Sequence, residues 1–124
     1  MFAYIGRHEA SKGIHLLLQA AIELVRRHPP LAVRFRVLIF GRPNSATTSS
    51  LRRLERESVL NGTPVVDWRP EYSNENIVRD VLNHADCIVV PSIWDENSPL
   101  VIHEAQQAKV PVITAQQGGM AELV

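Results

Sequence analysis

Two short segments of this sequence gather side chains able to hold an anion and hydroxyl groups. The first is Gly6-Arg7-His8-Glu9-Ala10-Ser11-Lys12-Gly13. Arg7 and Lys12, five positions apart, can clamp a diphosphate and neutralise the charge that develops on a departing one. Gly6 and Gly13 let backbone approach a ligand closely. The Lys-Gly order is the reverse of a Walker loop, and the Gly-x-Gly-x-x-Gly dinucleotide fingerprint is absent. Two solvated surface charges are the plain alternative for Arg7 and Lys12. The second segment is Pro91-Ser92-Ile93-Trp94-Asp95-Glu96-Asn97-Ser98. Ser98 can cap a helix with Pro99 in its first position. The backbone of Ser98, Pro99, Leu100 and Val101 would then aim free N–H groups and a positive dipole end at an anion. Glu96 precedes this helix and Glu104 lies about 1.5 turns into it, leaning back toward its start. A carboxylate accepts paired hydroxyl hydrogens, so sugar or ribose hydroxyls suit both glutamates.

The elements that must position these segments alternate between strand and helix patterns. Phe2 to Ile5 reads as a strand. The recurrence of Ile14, Leu17, Leu18, Ala21, Leu24 and Val25 predicts an amphipathic helix over 13–27, stopped by Pro29-Pro30. Phe35 to Phe40 reads as a second strand, and Ser45 to Ser50 as a polar loop. A charged helix around Leu51, Leu54 and Val59 follows, broken at Asn61-Gly62. Pro64 to Trp68 reads as a third strand. Asn74 to His84 carries the helical stripe Ile77, Val81, Leu82. Cys87 to Val90 is a continuous apolar strand, a helix runs to about Ala108, and Val110 to Thr114 is a fifth strand. Met120 to Val124 reads as the start of a helix cut short. Five strands separated by helices predict an α/β, Rossmann-like doubly wound parallel sheet in the order 3-2-1-4-5. Ligands bind such sheets where strand order reverses, outside the carboxyl ends of strands one and four. The two segments above are the loops that leave those strands.

With 124 residues, the chain fits one domain, 1–124, and the abrupt end suggests a longer natural domain. Thirteen basic residues balance thirteen acidic ones, so bulk charge forecasts no nucleic-acid or membrane binding. The lone cysteine, Cys87, excludes an internal disulfide and fits a cytoplasmic setting as an inert core thiol. No apolar run approaches a membrane span, so any association with the inner membrane would run through parts outside this sequence. The histidines show no metal-ligand spacing. His8 lies in the anion loop, His15, His28 and His84 read as surface helix residues, and His103 as structural. Trp68 reads as core, Trp94 as either a wall of the site or packing under its loop, Asp95 as solvated, and Glu122 as able to face a nucleotide.

These residues together resemble the C-terminal domain of glycosyltransferase family 4, also called glycosyl transferase group 1. Phe2-Ala3-Tyr4-Ile5-Gly6-Arg7 with Lys12-Gly13 is similar to the family's opening strand and phosphate loop. Val37-Leu38-Ile39-Phe40-Gly41 is similar to its second strand. The stretch Ala85 to Ser92, then Glu96 to Glu104, Pro111-Val112-Ile113 and Gly118-Gly119 resembles its diagnostic region, including a glutamate, seven residues, glutamate signature. The resemblance implies a GT-B enzyme whose donor is a UDP-, GDP- or ADP-sugar, and retaining transfer with neither metal nor cofactor. It gives Arg7 and Lys12 the diphosphate and the leaving group, and Glu96 the donor sugar. Glu104 takes the ribose hydroxyls, and the backbone of Pro99, Leu100 and Val101 the phosphates. Base recognition falls near Arg69. It also implies an N-terminal acceptor-binding domain beyond this chain, which alone would be inactive; the acceptor would be a glycan or a lipid, as in polysaccharide biosynthesis. Pro43, Pro70 and Lys109 stand where the family often has glycine. A non-catalytic nucleotide-sugar-binding module and a GT-B epimerase are the alternatives, and the absent glycine fingerprint disfavours an oxidoreductase.

Overall fold

The computed structural model describes residues 1–42, 45–57, 59–60, 63–94, 100–116 and 118–124. Its centre is a five-stranded sheet of β1 (Phe2–Ile5), β2 (Val37–Phe40), β3 (Val66–Trp68), β4 (Cys87–Val90) and β5 (Val112–Thr114). The order is β3-β2-β1-β4-β5 and every pair is parallel, as the strand–helix alternation predicts. β1 pairs with β2 from Phe2↔Val37 to Ile5↔Phe40, and with β4 at Phe2↔Cys87 and Ala3↔Ile88. Sequential strands therefore run outward from β1 in both directions, and the reversal falls between β1 and β4.

Apolar residues on both faces explain why β2 is a continuous hydrophobic run with all four side chains buried. On one face Ala3, Ile5, Leu38, Ile88 and Val90 pack against Ile102 and Ala105 of α4 (Leu100–Gln107) and against Ile77, Val81, Leu82 and Met120. On the other, Tyr4, Ile39 and Val66 pack against α1 (Ile14–Arg27) and Leu51 of α2 (Ser45–Glu57). α1 buries Ile14, Leu18, Ala21, Ile22 and Val25, one stripe at helical period. Gly13 is its N-cap, so the helix begins one residue later than its pattern suggests.

The polar segment Ser45–Ser50 is the first half of α2 and not a loop. Ser and Thr are middling helix formers that tertiary packing readily overrides, and the helix they open is anchored by buried Leu51. Val59 has left this helix: it pairs with Pro64 in a two-residue hairpin, Val59–Leu60 against Thr63–Pro64, ahead of β3. The third and fifth strands are shorter than expected, at Val66–Trp68 and Val112–Thr114. The stripe over Asn74 to His84 buries Ile77, Val81 and Leu82 as its spacing predicts. Its backbone, however, is a 3-10 turn (Asn74–Asn76), one α turn, α3 (Ile77–Asp80), and a second 3-10 turn (Leu82–His84). The break is at Val81, φ −124° and ψ −65°, a β-branched residue disfavoured in helices. The chain ends in α5 (Met120–Leu123), whose Met120 is fully buried.

Lys109 has φ 60°. Its N–H donates to the Gln106 carbonyl at 3.0 Å and that of Val110 to Ala105 at 2.9 Å, the bond pair of a Schellman C-cap that normally carries glycine. Lys109→Gly should stabilise the fold by about 1 kcal/mol, read as a shift in the urea midpoint. An unchanged or lower midpoint would show that the lysine is unstrained.

Candidate functional site

Three loops meet at the carboxyl edge of the sheet, and glycines set their spacing. Gly13 sits at φ +70°, and a Cβ there would stand 1.9 Å from the Pro91 carbonyl oxygen. The backbone after β1 is thus pressed onto the backbone after β4. The Ile93 N–H donates to the Ser11 carbonyl at 3.1 Å and ties the same two loops. On the other flank a Cβ at Gly41 would stand 1.9 Å from the Gly6 carbonyl oxygen. The Gly6 N–H donates to Phe40 at 3.2 Å and that of His8 to Arg42 at 3.0 Å, joining the β1 loop to the β2 loop.

These loops frame three adjoining clefts. The first, about 240 Å³, lies between β1 and β4 and is lined by Gly6, Lys12, Ser92, Leu100 and Val101, with Tyr4 beneath. The structure therefore brings Lys12 to the first residues of α4, as the topology requires. The second, about 350 Å³, holds Arg7 together with Gly6, Arg42, Glu71 and Tyr72. Gly6 borders both. The third, about 280 Å³, lies beyond β2 and holds Arg69 with His8, Arg52 and Trp68. Arg69 is thus separated from Lys12 by the Arg7 cleft, and it pairs with Asp67 at 3.1 Å. Glu104 is half-buried on α4. Its charge joins burial in raising the Tyr72 hydroxyl above its ordinary value, burial being the larger cause. Glu96, Ser98, Pro99 and Asp95 lie outside the described residues.

Arg7 and Arg42 at this edge are exposed. Arg7 meets Glu9 at 3.6 Å and Arg42 meets Glu71 at 3.8 Å; both guanidiniums and Glu71 are exposed, and Glu9 is half-buried. Such pairs contribute little and yield to a stronger partner. Sequence reasoning missed Arg42, Glu71 and Tyr72. They follow the carboxyl ends of β2 and β3, and strand position alone would have nominated them. Trp94 is 69% exposed, so it does not pack under its loop. Glu122 is exposed on α5. Among the described residues no group of His, Cys, Asp and Glu has metal-binding geometry.

His8 belongs to the same loop but turns inward. It is 4% exposed and meets Trp68 edge-on, ring centroids 5.4 Å apart. Arg52 lies 4.4 Å over the other partner of that contact, the Trp68 ring. Burial pushes the imidazole below its ordinary value, the Phe40 carbonyl opposes this, and the Arg52 charge adds to it. Neither ring nitrogen finds a hydrogen-bond partner of good geometry, nor does the Trp68 indole N–H. A base whose folded value is depressed stays neutral while the unfolded chain takes up a proton. Stability is thus lost as pH falls below the ordinary histidine value of about 6.5. Replacing His8 by Phe should shrink that acid-side loss relative to pH 8 in chemical denaturation. An identical pH profile would mean that His8 charges freely in the folded protein.

Comparisons with known proteins agree with this fold. The model of the family "Glycosyl transferases group 1" matches residues 1–124. A D-inositol 3-phosphate glycosyltransferase of Nocardia farcinica is 36% identical over 126 residues, covering 98% of this chain and 26% of the relative. The chain thus spans about a quarter of that relative's length. HepE of Anabaena, solved in complex with UDP, superposes with a TM-score of 0.80 at 22% identity, covering 99% of this chain and 31% of that one. The C-terminal domain of a glycosyl transferase group 1 family protein (LpcC) from Francisella tularensis gives 0.76 at 18% identity, covering 99% and 62%. At these identities the solved structures establish the fold, and the full-length family match establishes kinship: this chain belongs to the group 1 glycosyl transferases.

Proposed function

We propose that this chain is the donor-binding half of a retaining, metal-independent glycosyltransferase that takes its sugar from a nucleoside diphosphate and hands it to an acceptor held by a separate N-terminal domain. The observation that carries this reading is the junction of the β1 and β4 loops, which sets Lys12 beside Leu100 and Val101 in one cleft at the strand reversal. A diphosphate lying there meets the ammonium of Lys12, the backbone at the start of α4 and, across Gly6, the guanidinium of Arg7. Paired cations take up the charge that appears when the sugar–phosphate bond breaks, the task a metal performs in other transferases. Glu104 takes the ribose hydroxyls, Glu96 the donor sugar, and the base lies toward Arg69. The UDP bound by HepE makes UDP the first ligand to try.

Titrating UDP, GDP and ADP into the isotope-labelled chain should shift amide resonances of Gly6 to Lys12 and of Leu100 to Glu104, with or without EDTA. Shifts confined to other surfaces would refute the site, and strict dependence on a divalent cation would refute the metal-independent reading.

A further inference from the structure

Tyr4 lies on β1 and is 2% exposed, yet it carries a hydroxyl. That hydroxyl donates to the main-chain carbonyl of Arg7 at 2.5 Å. Between the two residues Gly6 sits at φ +153°, and a Cβ there would stand 3.2 Å from the Tyr4 oxygen. The turn that launches the β1 loop is therefore folded directly over the phenol. Tyr4 also lines the cleft that holds Lys12. One side chain thus forms part of the Lys12 cleft and restrains the backbone of Arg7, whose own side chain lines the neighbouring cleft. A phenylalanine would fill the same volume for packing. A buried hydroxyl must find a partner, and here the partner is the carbonyl of a residue assigned to the diphosphate.

We infer that Tyr4 is a positioning residue for donor binding: its hydroxyl fixes the Arg7 backbone so that the guanidinium is held across Gly6 from Lys12, where both can meet the donor. This rests on the donor-binding reading above. A pre-set loop binds an anion without first spending free energy on ordering itself. Loss of one such hydrogen bond corresponds to a roughly three- to tenfold weaker complex.

The test is a double-mutant cycle on the chain, using UDP as probe, with Tyr4→Phe, Arg7→Ala and the pair. Tyr4→Phe should raise the UDP dissociation constant three- to tenfold while leaving the thermal midpoint within a few degrees. In the Arg7→Ala background the same change should add nothing, because the guanidinium it aims is gone. Additive losses would overturn the inference, since a general weakening of the fold ignores Arg7. Amide hydrogen exchange supplies an arm independent of UDP. The His8 N–H, bonded to Arg42, should exchange faster in Tyr4→Phe while the Leu18 amide does not change. Equal His8 exchange in both chains would overturn the pinning itself. If the unmodified chain binds no nucleoside diphosphate, the donor-site reading fails and the binding role of Tyr4 fails with it. The exchange arm still decides whether the hydroxyl holds the loop.

Discussion

Gly13→Ala should cost the chain about 2 to 5 kcal/mol of folding stability and deprive it of the proposed donor cleft. The methyl would need to stand 1.9 Å from the Pro91 carbonyl oxygen and 2.7 Å from the carbonyl carbon, which are backbone atoms with no rotamer to yield. A residue with a side chain at φ +70° adds about 1–2 kcal/mol of strain, and forcing apart packed backbone adds about 1–3 more. Against a total stability of about 5–15 kcal/mol, that is a large fraction. Relief can come only by separating the β1 loop from the β4 loop, which breaks the Ile93–Ser11 bond and moves Lys12 away from Leu100. The urea midpoint and UDP binding should fall together. A loss under about 1 kcal/mol with UDP affinity intact would mean that the two loops are not held at this spacing.

Lys12→Ala should weaken nucleoside diphosphate binding roughly ten- to a hundredfold with little change in stability. A hydrogen bond to a charged group contributes about 1.5–3 kcal/mol, and each 1.4 kcal/mol is a factor of ten in affinity. Lys12 is only half-buried, so its removal leaves no core void. The variant should also show a shallower salt dependence, because one cation no longer meets the diphosphate. Unchanged UDP affinity measured by calorimetry would remove Lys12 from the site. Lys12→Arg is a useful companion, since a guanidinium keeps the charge but changes its reach and geometry.

What was legible in advance follows from period and punctuation. β2 and β4 are continuous apolar runs flanked by breakers, and α1 repeats its buried residues at helical spacing, so topology and core were readable. The helicity of Ser45–Ser50 was not, because neither propensity nor period marks it, and the anchor, Leu51, comes only at its end. The break at Val81 was equally hidden. The apolar stripe continues across it, with Ile77, Val81 and Leu82 packed in one core cluster on both sides of the break. Near the site, Arg7 and Lys12 stood out as cations between glycines, whereas Arg42, Glu71 and Tyr72 lie in segments of ordinary composition. They line the Arg7 cleft because β2 ends beside β1 and β3 ends beside β2. His8 shows the converse. It sits in the loop richest in candidate ligands, yet its ring turns toward Trp68, a neighbour that is sixty positions away in the chain.

By itself the sequence determined the strand–helix alternation, the parallel sheet with its reversal between strands one and four, and the two loops proposed to carry the chemistry. Those are local matters, set by hydrophobic period and by the conformational freedom of glycine and proline. Only the tertiary structure decided that Gly13 lets the two loops touch, that Lys12 and Arg7 serve neighbouring clefts divided by Gly6, that Arg69 stands one cleft further out, and that a tyrosine hydroxyl ties down Arg7. Each of these is a contact between backbone or side-chain atoms brought together by the winding of the sheet, and distances of that kind are not encoded in any single segment's composition.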